Sequence, residues 1–374
     1  MRRYKTYING EWFEGASGIV LRSVDPSNNK ELGEIVQNSK EDVEYAIESA
    51  SRSFYKTREW RDLDVQQRSD KLLKIADMIE SEIDEIAKTE SMDNGKPLRE
   101  AQADVDDAVH CFRYYAGLIR TPSGQTYNVN SNFGNMHSYT VKEPVGVCAL
   151  ITPWNFPFLM SVWKIAPALA AGNSIIFKPS SETVLSALKL FEILDKCDLP
   201  KGTANLVIGS GSTVGNLLAE SKKVDMITFT GSTSVGQGIM RAAAGNVKKI
   251  GLELGGKSPN IVFADTDIDK TVECVMMGIF LNQGEVCCAG SRLIIEKSIK
   301  DKFLKKLVER TDKLTLGAPL DNPDMGPLIS KKHMQDVLGY IEKGKAEGAK
   351  LLCGGYKCCL LYTSDAADDL TRVD

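Results

Sequence analysis

Two adjacent thiols, Cys287 and Cys288, lie in the stretch NQGEVCCAGSR with Gly284 and Gly290 on either side. A cysteine on a glycine-rich loop can meet a ligand closely and, if its thiolate is stabilised, act as a nucleophile. Small buried cysteines also serve as plain core filler, and the residue type alone leaves both uses open. A thiol nucleophile needs a base. Glu253, in LELGGKSP, follows an apolar strand pattern and precedes Gly255-Gly256, which puts its carboxylate at the carboxyl edge of a sheet. Desolvation there raises a carboxyl towards the range of a general base, whereas in water the group is simply solvated or ion-paired. Asn155, in TPWNFP, brings an amide donor that can face a developing oxyanion; an Asx turn is its other ordinary use.

Nucleotide signals lie nearby. GSGSTVG, residues 209–215, holds Gly211 and Gly215 but is one residue too long for the dinucleotide fingerprint. FTGSTSVGQG is better placed: a strand runs into Gly231-Ser232 and a helix follows, whose first amides can meet a pyrophosphate. IIFKPSSE ends another strand on Lys178, within reach of ribose hydroxyls.

These residues need rigid elements behind them. The first third of the chain reads as helical. Ser39 caps a helix with Val43, Ala46, Ile47, Ala50 and Phe54 on one face. A second helix runs to Asn94-Gly95 with Leu72, Ile75, Ala76, Ile79, Ile83 and Ile86 inward, and a third covers about 98–118. Residues 121–143 are polar and read as a projecting hairpin. From 145 the rhythm is strand then helix: VGVCALIT, SIIFKP, ANLVIG, DMITFTG and IGLELGG, with helices at about 159–171, 182–195, 212–221 and 233–245. That alternation means a doubly wound parallel sheet. A second α/β unit follows: SPNIVFAD, helix 267–281, the thiol loop, strand SRLIIE and helix 298–313.

Composition narrows the function. The 374 residues carry 46 basic and 50 acidic side chains, a net charge of -4, with no basic stripe to suggest nucleic acid. No apolar run is long enough for a membrane span, and the start shows no signal-peptide pattern. Nine cysteines without disulfide or metal spacing suit a reduced cytoplasmic compartment, and no metal site is expected. CGGYKCC, with Cys353, Cys358 and Cys359, lacks the second ligand pair that zinc needs. His110, His137 and His333 are far apart and read as surface or satisfied side chains.

In order and spacing, PWNFP, FKPS, FTGSTSVG, LELGGKSPNIVF and NQGEVCCAGSR resemble the NAD(P)-dependent aldehyde dehydrogenase superfamily. The likeness runs over about residues 5–357, and PWNFPFLMSVWKIAPALAAGN looks most like the betaine-aldehyde and broad-specificity branches. It implies Cys287 as nucleophile, Asn155 with the Cys287 amide as oxyanion donors, and Glu253 as base. It implies a cofactor, NAD with NADP possible, held by Thr152, Pro153, Trp154, Lys178, Ser181, Gly211, Gly215, Phe229, Gly231, Ser232 and Leu254. The resemblance divides the chain into a dinucleotide-binding domain (1–120 and 144–254), an oligomerisation β extension (121–143) and a partial catalytic domain (255–357). Residues 358–374 read as a non-native tail on a truncated member. The expected reaction is oxidation of an aldehyde, betaine aldehyde among the candidates, to a carboxylic acid through a thiohemiacetal and a thioester. The alternatives are a CoA-acylating dehydrogenase, in which Glu253 has no task, and an inactive nucleotide-binding fragment. The partner expected is a small aldehyde, with no nucleic acid or membrane, and a homo-oligomer, dimer or tetramer, for a full-length protein. Two residues depart from the family pattern. Glu285 stands where Gln is usual and is expected to turn away from the thiol. Ser181 stands where many NAD-preferring members have Glu, with Glu182 as a neighbouring substitute. Phe158 and Trp163 are candidates for an aromatic pocket that accepts a quaternary ammonium.

Overall fold

A computed structural model describes residues 2–357, of Ser131 the backbone only. The chain starts with strands, not the helices expected: β1 (Arg3–Tyr4), β2 (Thr6–Ile8), β3 (Glu11–Phe13), β4 (Val20–Val24) and β5 (Glu31–Val36). β2 and β3 turn on Asn9-Gly10, with φ of 56° and 79°. That left-handed pair is what a two-residue hairpin demands.

Helix α1 (Lys40–Arg52) begins on Ser39, whose hydroxyl accepts from the Asp42 amide while the Asp42 carboxylate accepts from the Ser39 amide. The single long helix expected next is two, α2 (Val65–Ser81) and α3 (Ile83–Asn94). They part at Glu82, whose amide bonds back three residues to Ile79 O and tightens the turn out of register. Gly95, at φ 100°, ends α3 where expected, and α4 (Leu98–Leu118) follows Pro97. The hairpin β6 (Thr126–Ser131) and β7 (Gly134–Tyr139) pairs only with itself, and β7 is exposed throughout.

The alternating region then builds the main sheet from β8 (Val147–Ile151), α5 (Pro157–Ala170), β9 (Ser174–Lys178), α6 (Leu185–Lys196), β10 (Ala204–Leu206), α7 (Asn216–Glu220), β11 (Met226–Gly231), α8 (Thr233–Ala243) and β12 (Lys249–Leu254). Strand order is β12-β11-β8-β9-β10-β2-β3, parallel from β12 to β10, with β2 antiparallel at the far side. The winding reverses at β8: β9 and β10 lie to one side, β11 and β12 to the other. The crevice outside the carboxyl ends of β8 and β11 is therefore the topological switch point, where such sheets bind ligands.

Both faces of the sheet are covered. Cys148, Leu150, Ile175 and Phe177 pack with Leu72, Ile79, Phe112, Ile165 and Phe191 from α2, α4, α5 and α6. Val147, Ala149, Ile151 and Ile176 pack on the opposite face with Val43, Ile47, Leu218 and Ile239 from α1, α7 and α8. This is the period-2 split of a strand buried on both sides. Each fully buried large side chain contributes roughly 1.5–3 kcal/mol, which makes the switch point a rigid platform.

The second unit holds β13 (Pro259–Val262), α9 (Ile268–Phe280), β14 (Arg292–Ile295) parallel to β13, and α10 (Lys300–Thr311), around Val262, Val272, Val275, Phe303 and Leu307. A further helix, α11 (Lys331–Ala346), was not foreseen; Ser330 caps it by accepting from the His333 amide. The tail 358–374, with Cys358 and Cys359, lies outside the described residues.

Candidate active site

The switch point gathers most of the residues singled out above. The segment leaving β8 is Thr152-Pro153-Trp154-Asn155. The Thr152 amide donates to Lys178 O (3.1 Å), tying the ends of β8 and β9 together. Asn94, just before the α3 terminus, donates from Nδ2 to Trp154 O (2.9 Å). Asn282 Nδ2 donates to Asn155 O (2.8 Å). Asn155 Nδ2 in turn donates to Glu285 O (2.8 Å), two residues before Cys287. That acceptor fixes which end of the amide is nitrogen. One Nδ2 hydrogen remains for an oxyanion, and Oδ1 is buried with no hydrogen-bond partner.

The thiol loop is held in an unusual backbone shape. Asn282 and Gln283 adopt φ of 47° and 57°, and Gly284 follows at 80°. Two consecutive non-glycine residues in the left-handed region cost free energy that the surroundings must offset. They do so through the Glu100 carboxylate, which accepts from the Asn282 amide (2.8 Å), and Gln283 Oε1, which accepts from the Gly326 amide (3.3 Å). The loop then delivers Cys287 and Cys288 to the surface as free, exposed thiols. Cys287 O accepts from the Gly256 amide (3.1 Å), which docks the loop on the segment that follows Glu253 at the end of β12. Thus the segments that carry Asn155, Cys287 and Glu253, from the end of β8, the α9–β14 loop and the end of β12, are linked by hydrogen bonds.

Electrostatics set the thiol's starting state. Partial burial and the neighbouring Cys288 push the Cys287 thiol up, while the backbone amides of 287 and 288 pull it down. Glu253 is exposed, and its charge acts on Lys164, whose ammonium donates to Thr228 Oγ1 (2.8 Å) and is pushed down to about 8 by burial. Glu285 is the surprise. Its side chain is 1% exposed, Oε1 accepts from the Ile329 amide (3.1 Å) and lies 3.6 Å from His333 Nε2. Burial pushes its carboxyl up to about 8. The carboxyl thus faces α11, while the thiol it was expected to avoid is perturbed by burial and Cys288.

The dinucleotide candidates line the same edge. Lys178 is buried, with its ammonium on Pro179 O (2.9 Å) and no carboxylate partner among the described residues; burial pushes it down to about 8. Its chain lies beside Gly215, at the end of a π turn that starts on Gly211 and is capped by Ser210. Ser181 Oγ donates to Gly209 O (3.4 Å). Ser232 caps α8, and a Cβ at Gly231 would stand 2.5 Å from the Phe229 ring. Leu254 lies against Gly236. The thiol loop's supports, Asn94, Glu100, Asn282, Gln283 and His333, escaped the sequence reading. Each is a polar side chain whose partner is remote in the chain, and spacing does not report such contacts.

Residues 12–362 match the model of the aldehyde dehydrogenase family. The chain belongs to that family. It is 46% identical over 350 residues to betaine aldehyde dehydrogenase of Bacillus subtilis, covering 93% of this chain and 71% of that protein. It is 42% identical to human retinal dehydrogenase 2, covering 94% and 68%. Its fold superposes with TM-score 0.91 on the crystal structure of Staphylococcus aureus betaine aldehyde dehydrogenase in complex with NAD+, at 41% identity and covering 98% of this chain and 71% of that one. A second structure of that S. aureus enzyme, a point mutant, carries a BME-modified cysteine. As an aldehyde dehydrogenase the chain is an aldehyde-oxidising α/β oxidoreductase, and among its described residues no helix is long and apolar enough to cross a membrane.

Proposed function

We propose that this aldehyde dehydrogenase oxidises betaine aldehyde to the corresponding acid with NAD, using Cys287 as nucleophile, Asn155 as oxyanion donor and Glu253 as base. The observation that carries the assignment is the link from Asn155 Nδ2 to Glu285 O, which sets the amide two residues from an exposed thiol at the switch point of the sheet. The likeness to the B. subtilis betaine aldehyde dehydrogenase supports the substrate. Phe158 drops out of the aromatic pocket because it is fully buried in the core, whereas Trp163 is 53% exposed and remains available to a cationic head group.

A cofactor fits the residues at the sheet edge. The buried Lys178 ammonium, bonded to Pro179 O, has two further donors to offer ribose hydroxyls, and Thr152 Oγ1 is buried without a partner among the described residues. Gly231, where a side chain would meet Phe229, leaves backbone for a pyrophosphate. When bound, the nicotinamide group accepts the hydride.

The chain's own residues do the rest. Cys287 gives up its proton to solvent, and the sulfur adds to the aldehyde carbon, its electron pair forming the C–S bond as the C=O π pair moves to oxygen. Asn155 Nδ2 and the Cys287 amide hold that oxyanion, each donor worth about 3 kcal/mol in the transition state. The oxyanion re-forms C=O as the C–H bond breaks with its electron pair, which leaves a thioester on Cys287. Glu253 then deprotonates a water that adds to the thioester, and the C–S bond breaks with sulfur leaving as thiolate and taking that proton back from Glu253. The balance is aldehyde, water and NAD+ to acid, NADH and a proton.

Residues 1–120 and 144–254 form the cofactor domain in this reading, 255–357 the catalytic part, and 121–143 an oligomerisation extension of a homo-oligomeric cytoplasmic enzyme. With Ser181 turned to Gly209 O, discrimination against a 2'-phosphate falls to Glu182. The test is NADH formation with betaine aldehyde and with propanal, each with NAD and NADP, and with coenzyme A added. Preferred turnover of betaine aldehyde to free acid with NAD supports the assignment. Acyl-CoA as product, or equal turnover of propanal, overturns it.

A further inference from the structure

Glu285 grips the thiol loop at both of its ends. Its backbone carbonyl accepts from Asn155 Nδ2 (2.8 Å) and more weakly from Asn282 Nδ2 (3.4 Å). Its side chain reaches the other way, to the Ile329 amide and His333 at the start of α11. One residue therefore spans from Asn155 to the start of α11. Oε2 of the same carboxyl is buried without a partner. An ionised carboxylate with only neutral donors is costly to bury. The charged groups around it do not relieve that cost. Lys96, a cation whose charge acts on it, is already bound to Asp104 (2.5 Å) and Glu90 (3.4 Å). The Glu100 carboxylate is engaged by the Asn282 amide, and Gln283 offers only a neutral amide from the loop itself. On α11, Asp336 acts on His333, whose ring meets the edge of Trp154 at 5.2 Å between centroids.

We propose that Glu285 and His333 share one proton at neutral pH, and that this pair is a latch holding the Cys287 loop in register with Asn155. Glu285 is thus a positioning residue for the thiol. The stereochemistry suits the arrangement: Oε1 accepts from the Ile329 amide and faces a ring nitrogen 3.6 Å away, which a small closure turns into an O–H···N bond. Burial supports this protonation state, raising Glu285 to about 8 and lowering His333. Loss of the shared proton leaves a buried carboxylate that must find solvent, and its movement pulls Glu285 O off Asn155. The latch rests on Cys287 as nucleophile for its purpose, but its existence can be read without turnover.

The test is NMR of histidine-labelled protein between pH 6 and 9.5. With three histidines, His333→Gln assigns the His333 signals in one step. The His333 Nε2 shift is expected to follow a one-proton step near pH 8 in the wild type and to lose that step in Glu285→Gln. A His333 titration unchanged by Glu285→Gln overturns the latch, whatever the activity. In turnover, kcat of the wild type is expected to fall several-fold above pH 8, and Glu285→Gln to carry the plateau to higher pH. Glu285→Ala is expected to lower kcat at least tenfold at pH 7 with KM little changed, and Gln, which keeps an acceptor for Ile329, to recover most of it. Equal kcat and equal pH profiles for Ala and Gln contradict a positioning role.

Discussion

The sharpest structural prediction concerns Lys96, a cation with 0% exposure beneath the PWNFP turn. Its ammonium is 2.5 Å from Asp104 Oδ2, 3.4 Å from Glu90 Oε1 and 4.1 Å from the centre of the Phe156 ring. Glu90 is also fully buried, and its Oε2 accepts from the Phe158 amide (2.8 Å). The triad thus holds the side of the turn that follows Asn155. Lys96→Met keeps the volume and removes the charge. Two buried carboxylates then face each other without a cation, and breaking a buried pair from one side costs about 3–5 kcal/mol. Removing Asp104 as well leaves Glu90 alone, with the Phe158 amide as donor and no second carboxylate beside it, so Lys96→Met with Asp104→Leu should recover about 1–3 kcal/mol of that loss. Urea unfolding of the wild type, both single variants and the double variant measures the coupling directly. A loss under about 1 kcal/mol for Lys96→Met, or additivity of the two substitutions within about 0.5 kcal/mol, refutes the reasoning. The variant should also lose kcat, because Phe156 and Phe158 closely follow Asn155, the proposed oxyanion donor.

Other outcomes follow from the same geometry. Glu285 binds its proton more tightly folded than unfolded, so its contribution to stability is fully present at acid pH and is lost as pH rises from about 4.5 to about 8. Glu285→Gln should remove that loss, which at about 1.4 kcal/mol per pKa unit comes to about 4 kcal/mol at pH 8; equal pH dependence of the two between pH 5 and pH 8 by urea titration contradicts it. Cys288 holds the Cys287 thiol up, so Cys288→Ala should speed alkylation of Cys287 by iodoacetamide at pH 7, with the pH midpoint of the rate moved down; an unchanged midpoint refutes the coupling. Asn155→Ala should cut kcat about 10²–10³-fold with little change in unfolding free energy, the signature of a lost oxyanion donor; a KM effect with kcat intact points to binding instead.

The chemistry was legible in the sequence because it sits at strand ends. Glu253, Lys178, Gly231 and the PWNFP turn each terminate an apolar run, and strand–helix alternation sends such termini to one edge. The N-terminal strands were missed because they are two to six residues long and half polar, although Asn9-Gly10 marks the β2–β3 turn. The break at Glu82 carries no proline or glycine to announce it. Glu90, Lys96 and Asp104 escaped for a different reason, and Glu285 was expected to turn from the thiol but not to be buried. Charged residues on a helix or loop read as solvated, and their burial follows from partners that only tertiary packing supplies, such as the Ile329 amide 44 residues beyond Glu285.

The account depends most on a covalent bond to one sulfur. Peptide mapping by mass spectrometry of Glu253→Gln, quenched after mixing with NAD and betaine aldehyde, reads it directly. The expected result is an acyl adduct on Cys287 in step with one equivalent of NADH, absent from Cys287→Ala. An adduct confined to Cys288, or an NADH burst that survives in Cys287→Ala, contradicts it.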